Sequence, residues 1–95
     1  MRDWLTPSEA CVLGQLMTAP RYGLELVGGS GGLLSSESVY VLLGRMARKG
    51  LVERQSTRPA RRGETGPERV LYRATRVGLV ALRCHLELER VRTEG

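Results

Sequence analysis

The sequence predicts a mainly α fold with a small β-hairpin: a winged helix-turn-helix domain of three helices plus wing and a C-terminal helix. Three observations lead there. The patterns run helix, helix, short strand, helix, two strands, helix. The 95 residues, 41% hydrophobic and 26% charged, suffice for one modest core, which must be aliphatic because the chain has no Phe and one Trp. The net charge of +5 is concentrated: residues 45–76 carry ten cations against three acids, net +7, and the remainder nets −2.

Each element has a local reason. Thr6-Pro7-Ser8-Glu9 reads as a helix start, with a hydroxyl at the N-cap, proline at the first helical position and Glu three residues after the cap. This first helix is expected over Pro7 to Thr18, with Cys11, Val12, Leu13, Leu16 and Met17 inward, and Ala19-Pro20 ends it. A shorter helix begins near Tyr22, with Leu24, Leu26 and Val27 as its buried side. Gly28-Gly29-Ser30-Gly31-Gly32 is a turn between elements. That glycine run is no nucleotide cradle, because no Gly-Lys followed by Ser or Thr is present and Leu34 stands where a dinucleotide fingerprint needs its third glycine.

Leu33-Leu34 is expected as the short strand. Ser35 and Ser36 offer alternative N-caps for a third helix reaching Lys49, and Gly50 terminates it. On this helix Val39, Leu42, Leu43 and Met46 follow i, i+3, i+4, i+7 and face the core. Ser38, Val41, Arg45 and Arg48 form the opposite stripe, with Glu37 and Tyr40 beside it. Residues 51–55 and 69–74 read as two strands of a hairpin with a long polar tip. Thr75 caps a last helix in which Leu79, Leu82 and Leu86 pack inward, while Cys84, Leu88 and Val91 form a second apolar seam. Two seams imply one partner inside the domain and one outside. Residues 1–95 thus read as one domain, with the helix-turn-helix over 22–49, the wing over 51–74 and a possible dimerisation helix over 76–92.

Several function classes are excluded on composition. The longest charge-free runs have eleven residues, Ala10 to Pro20 and Leu26 to Ser36, too short to span a bilayer. The N-terminus lacks an apolar h-region with a small-residue cleavage site, so a cytoplasmic protein with two reduced cysteines is expected. Cys11, Cys84 and the single His85 cannot supply a four-ligand zinc site. One His and one Asp leave no acid-base or covalent machinery, so no enzyme, cofactor or metal is expected. A cationic segment spread over a helix and a turn-rich hairpin is the electrostatic footprint for a duplex, unlike the single cationic helix with apolar anchors that a membrane surface takes. Double-stranded DNA is therefore the expected partner. Fourteen of the fifteen cations are arginine, whose planar fork suits phosphate and guanine.

The residues also resemble a family. Pro20-Arg21-Tyr22-Gly23-Leu24-Glu25-Leu26 is similar to the Pro-spacer-aromatic-Gly-Tyr-Glu-Leu segment of PadR-like transcriptional regulators, with Leu24 in place of the second aromatic. The stretch from Ser38 to Val52 resembles their recognition helix, with its tyrosine, spaced leucines and Gly-Leu-Ile/Val ending. Leu71-Tyr72-Arg73-Ala74-Thr75-Arg76-Val77-Gly78 looks like their Tyr-Arg-Leu-Thr-x-x-Gly closure. The resemblance covers residues 5–80 and implies a short, minimal member acting as a sequence-specific regulator, most simply a repressor on a palindromic operator. It implies a homodimer paired through the last helix, with help from the segment around Trp4.

The candidate DNA-binding residues are Ser36, Ser38, Tyr40, Arg45, Arg48, Arg58, Arg61, Arg62 and Arg69; the candidate dimer residues are Trp4, Cys84, Leu88 and Val91. Each has a plainer reading beside the functional one. Ser36 and Ser38 serve equally as caps, Tyr40 as a half-buried packing residue, and the arginines as a solvated face. Trp4 is a core or dimer plug, or a platform for a planar effector, although no feature points to an effector. An adaptor that binds an acidic protein, or a non-specific DNA-binding accessory factor of a phage or plasmid, is the alternative function on the same fold.

Overall fold

The structure is a computed structural model that describes residues 5–58 and 69–94. In chain order the elements are α1 (Pro7–Leu16), β1 (Arg21–Tyr22), α2 (Gly23–Gly28), α3 (Val39–Arg48), β2 (Val52–Arg58), β3 (Arg69–Ala74) and α4 (Arg76–Glu94). The fold is mainly helical with a small antiparallel sheet of order β1-β3-β2, as the predicted class requires.

α1 begins with the capping box: the Glu9 N–H donates to Thr6 Oγ1 at 3.1 Å and the Thr6 N–H donates to Glu9 Oε1 at 3.0 Å. The helix stops at Leu16, short of the expected Thr18, and Met17 at its C-cap is exposed where an inward position was expected. The buried stripe closes at Leu16, so a further turn would have carried Met17 only into solvent. In α2 the inward residues are Gly23, Leu26 and partly Val27, which leaves Leu24 exposed, contrary to expectation. A start at Gly23 explains this, because i, i+3 and i+4 share a face and i+1 does not. Gln15 Nε2 donates to the Leu26 carbonyl at 3.0 Å and joins α1 to the end of α2.

The first strand differs from expectation. Leu33-Leu34 form no ladder; Arg21-Tyr22 pair with β3 instead, in the register Arg21↔Tyr72 and Tyr22↔Leu71. Gly31 and Gly32 turn the chain with φ of 65° and 94°, and the Leu34 N–H is taken by Ser30 Oγ at 3.0 Å, so this segment's donor is satisfied locally. Leu34 still reaches the core, and Leu33 remains exposed.

α3 ends as predicted. Gly50 adopts φ 79°, its N–H donates to the Ala47 carbonyl at 3.0 Å, and the Leu51 N–H donates to the Met46 carbonyl at 2.9 Å. These two bonds are a Schellman motif, which only a left-handed residue at Gly50 permits without strain. The core gathers Leu5, Val12, Leu13, Leu16, Leu26, Leu34, Val39, Leu43, Met46, Leu51, Val52, Tyr72 and Leu82. It is aliphatic but for Tyr72. In α4 the inward face is Gly78 and Leu82, with Ala81 and His85 half-buried; Leu79 and Leu86, expected inside, are exposed. Gly78 sets this rotation, because a Cβ there would collide with the Leu51 carbonyl oxygen.

Candidate nucleic-acid interface

α3 is an amphipathic helix whose outer side is free of the core. Val39, Leu43 and Met46 are buried and Leu42 is half-buried, which leaves Tyr40, Val41, Arg45 and Arg48 outside. Arg45 and Arg48 lie in the last turn, where the negative end of the helix dipole favours cations. The apolar Val41, 61% exposed at the centre of this stripe, is unfavourable in water and suits contact with a base edge such as a thymine methyl.

The turn before α3 is organised by Ser35, one of the two expected caps, although the helix itself begins only at Val39. Ser35, not Ser36, supplies the side-chain acceptor: the Ser38 N–H donates to Ser35 Oγ at 3.2 Å, and the two hydroxyls lie 2.8 Å apart. Ser38 is the N-cap residue, and no side-chain cap bond comes from it. Ser36 is exposed within the turn. The cause is a lead-in turn over 36–38 that joins the helix through the Val39 N–H and the Ser35 carbonyl at 2.9 Å.

Tyr40 is 49% exposed and its ring lies across the start of α2. A Cβ on Gly23 would come within 2.6 Å of Tyr40 Cε1 and 2.9 Å of its Oη, so the glycine makes room for this packing. One ring thus ties the two helices of the helix-turn-helix.

Lys49, counted among the cations of the basic segment, already has a partner within the protein. Its Nζ donates to Glu9 Oε2 at 2.7 Å. The Glu9 side chain is 2% exposed; burial pushes its carboxyl up, but the Lys49 hydrogen bond and charge and the Thr6 bonds outweigh this and hold it below the ordinary value of 4.5. Sequence reading assigned Glu9 only the capping box. Its second partner, 40 positions away, had no local signal.

In the wing, β2 and β3 pair from Val52↔Ala74 to Arg58↔Arg69, with a register shift between Ser56 and Arg58. Arg58 and Arg69 therefore sit opposite each other at the outer end of the described hairpin. Arg61, Arg62 and Trp4 lie outside the described residues. Cys84, Leu88 and Val91 are exposed on α4, and Val77 and Val80 extend the same stripe toward the start of the helix. Positions 77, 80, 84, 88 and 91 are spaced three or four apart, the spacing of a helix-pairing seam.

No protein-family model matches the sequence, and no curated protein sequence matches it. Solved structures do. A PadR family transcription regulator from Clostridium difficile is similar at 21% identity and a TM-score of 0.77, over 94% of this chain and 93% of that one. A PadR-like transcriptional regulator from Bacillus cereus is similar at 26% identity and a TM-score of 0.68, over 90% of this chain and 84% of that one. The circadian clock associated protein Pex from Anabaena follows at 18% identity and a TM-score of 0.58, over 95% of this chain and 85% of that one.

Proposed function

From the PadR-like winged-helix fold that this chain has, we propose that it is a sequence-specific double-stranded DNA-binding transcriptional regulator, a repressor that binds a palindromic operator as a homodimer. The observation that carries the reading is the outer side of α3, where Tyr40, Val41, Arg45 and Arg48 are exposed beside a cationic wing. In this reading α3 enters the major groove, Ser36 and Ser38 approach it at the helix start, and Arg45 and Arg48 hold phosphate. Arg58, Arg61, Arg62 and Arg69 contact the backbone or minor groove from the wing.

The dimer completes the reading. α4 presents Val77, Val80, Cys84, Leu88 and Val91 to solvent as one apolar stripe, whose burial against a second copy removes them from water at about 25 cal/mol per Å². Two recognition helices then reach successive major grooves, one helical turn apart.

The test is a gel-shift with the DNA upstream of the protein's own gene, repeated at several salt concentrations. The expected result is a dissociation constant of about 10⁻⁸ M or tighter that survives competitor DNA. Only weak, sequence-indifferent binding overturns the reading.

A further inference from the structure

We propose that Arg21, Tyr40 and Arg54, gathered around Tyr72, form a seat for one backbone phosphate of a DNA duplex at the junction of α3 and the sheet, a proposal that rests on the DNA-binding reading above. The sheet register sets the arrangement. Arg21 of β1 and Arg54 of β2 both pair with Tyr72 of the central strand, so the three side chains form a row on one face of the sheet. The two arginine Cα atoms are two strand spacings apart, roughly 10 Å, within reach of guanidinium arms converging from both sides.

The face is the one that meets the helices. Val52, Ala74 and Val70 share it by alternation and pack into the core, as does the Tyr72 ring. Tyr40 reaches the same edge from α3: its ring lies against Gly23, two positions after Arg21. Burial pushes the Tyr72 hydroxyl above its ordinary value of 10.0, against the pull of the Arg54 charge. Tyr40 and Arg54 are exposed.

Among the described residues Arg21 and Arg54 are in no ion pair. Arg21 has one hydrogen bond there, from Nη2 to Thr18 Oγ1 at 3.3 Å, and its Nε is buried with no acceptor. A buried donor without a partner is costly, and two cations held on one row without an anion repel each other. A phosphodiester relieves the repulsion, because its two free oxygens take the outward N–H groups of two arginines and its charge offsets theirs. The Tyr40 hydroxyl, close to Gly23, offers a further donor. Phosphate is favoured over a protein carboxylate because the segment 45–76, which supplies Arg54, carries net +7.

The test uses fluorescence anisotropy of the full chain with a labelled mixed-sequence duplex of about two helical turns, with KCl varied from about 50 to 200 mM. For the double variant Arg21→Gln/Arg54→Gln the slope of log K against log[salt] is expected to become shallower by about 0.9, the value of one phosphate. The Arg21→Lys/Arg54→Lys variant keeps the wild-type slope, which separates loss of charge from loss of fold. Arg83→Gln, a surface cation on α4, also keeps it. An unchanged slope in the Gln double variant overturns the seat, and a change of about 1.8 overturns the sharing of one phosphate. If the wild-type chain does not bind the duplex at all, the DNA-binding reading falls first and the seat with it.

Discussion

Glu9 carries two jobs on one carboxylate. One oxygen closes the cap of α1 and the other holds Lys49 at the C-terminal end of α3, so α3 is fastened to α1 by an ion pair with one buried member. Glu9→Gln is expected to lower stability by about 1–2 kcal/mol, since it removes a charged acceptor from two donors. The pH dependence has a definite sign. With its folded value below 4.5, Glu9 contributes stability that is present above that value and is lost as pH falls through the lower folded one. Denaturant unfolding followed from pH 6 down to about pH 3 should therefore show a smaller loss of stability in Glu9→Gln than in the wild type. Equal losses would mean that Glu9 is not a source of the acid sensitivity.

Among elements, α4 is placed by contacts at its first turn. Thr75 Oγ1 accepts the Gly78 N–H at 3.0 Å and donates toward the carbonyls of Gly50 and Leu51, while Gly78 lies against Leu51. The start of α4 is thereby locked to the end of α3. Gly78→Ala gains about 1 kcal/mol of helix propensity. The colliding atom is backbone and cannot rotate away, so the overpacking, about 1–3 kcal/mol, is expected to win. A fall in Tm is predicted from thermal melts, and a rise would show that α4 slides freely on Leu51. The position was legible as a helix residue, and its role was not, because nothing local says that a carbonyl 27 positions earlier will press on it.

The whole molecule measures 57 × 26 × 23 Å. Its described surface bears two features that the core does not use: the cationic outer side of α3 and the apolar stripe of α4. The prediction at this scale is a sedimentation mass of twice 10.5 kDa at micromolar concentration, and a shift to the single mass on Leu88→Arg. A wild-type monomer at that concentration would remove helix pairing from the proposed operator complex.

Much of what depends on neighbours in sequence was legible in the chain itself: the capping box, the buried stripe of α3, the Gly50 terminator, the hairpin and the concentration of cations, though not the start of α3 or the inward face of α2. Periodicity, cap chemistry and positive φ act over a few residues, so local order suffices for them. Tertiary structure decided what depends on distant partners. It chose Arg21-Tyr22 over Leu33-Leu34 for the third strand, because an edge strand forms where β3 offers a ladder and not where propensity is highest. It turned Leu79 and Leu86 outward by packing Gly78 on Leu51. It paired Lys49 with Glu9, and set Arg21 and Arg54 in one row through a register shared with Tyr72. A pairing register is a relation between segments, and no single segment contains it.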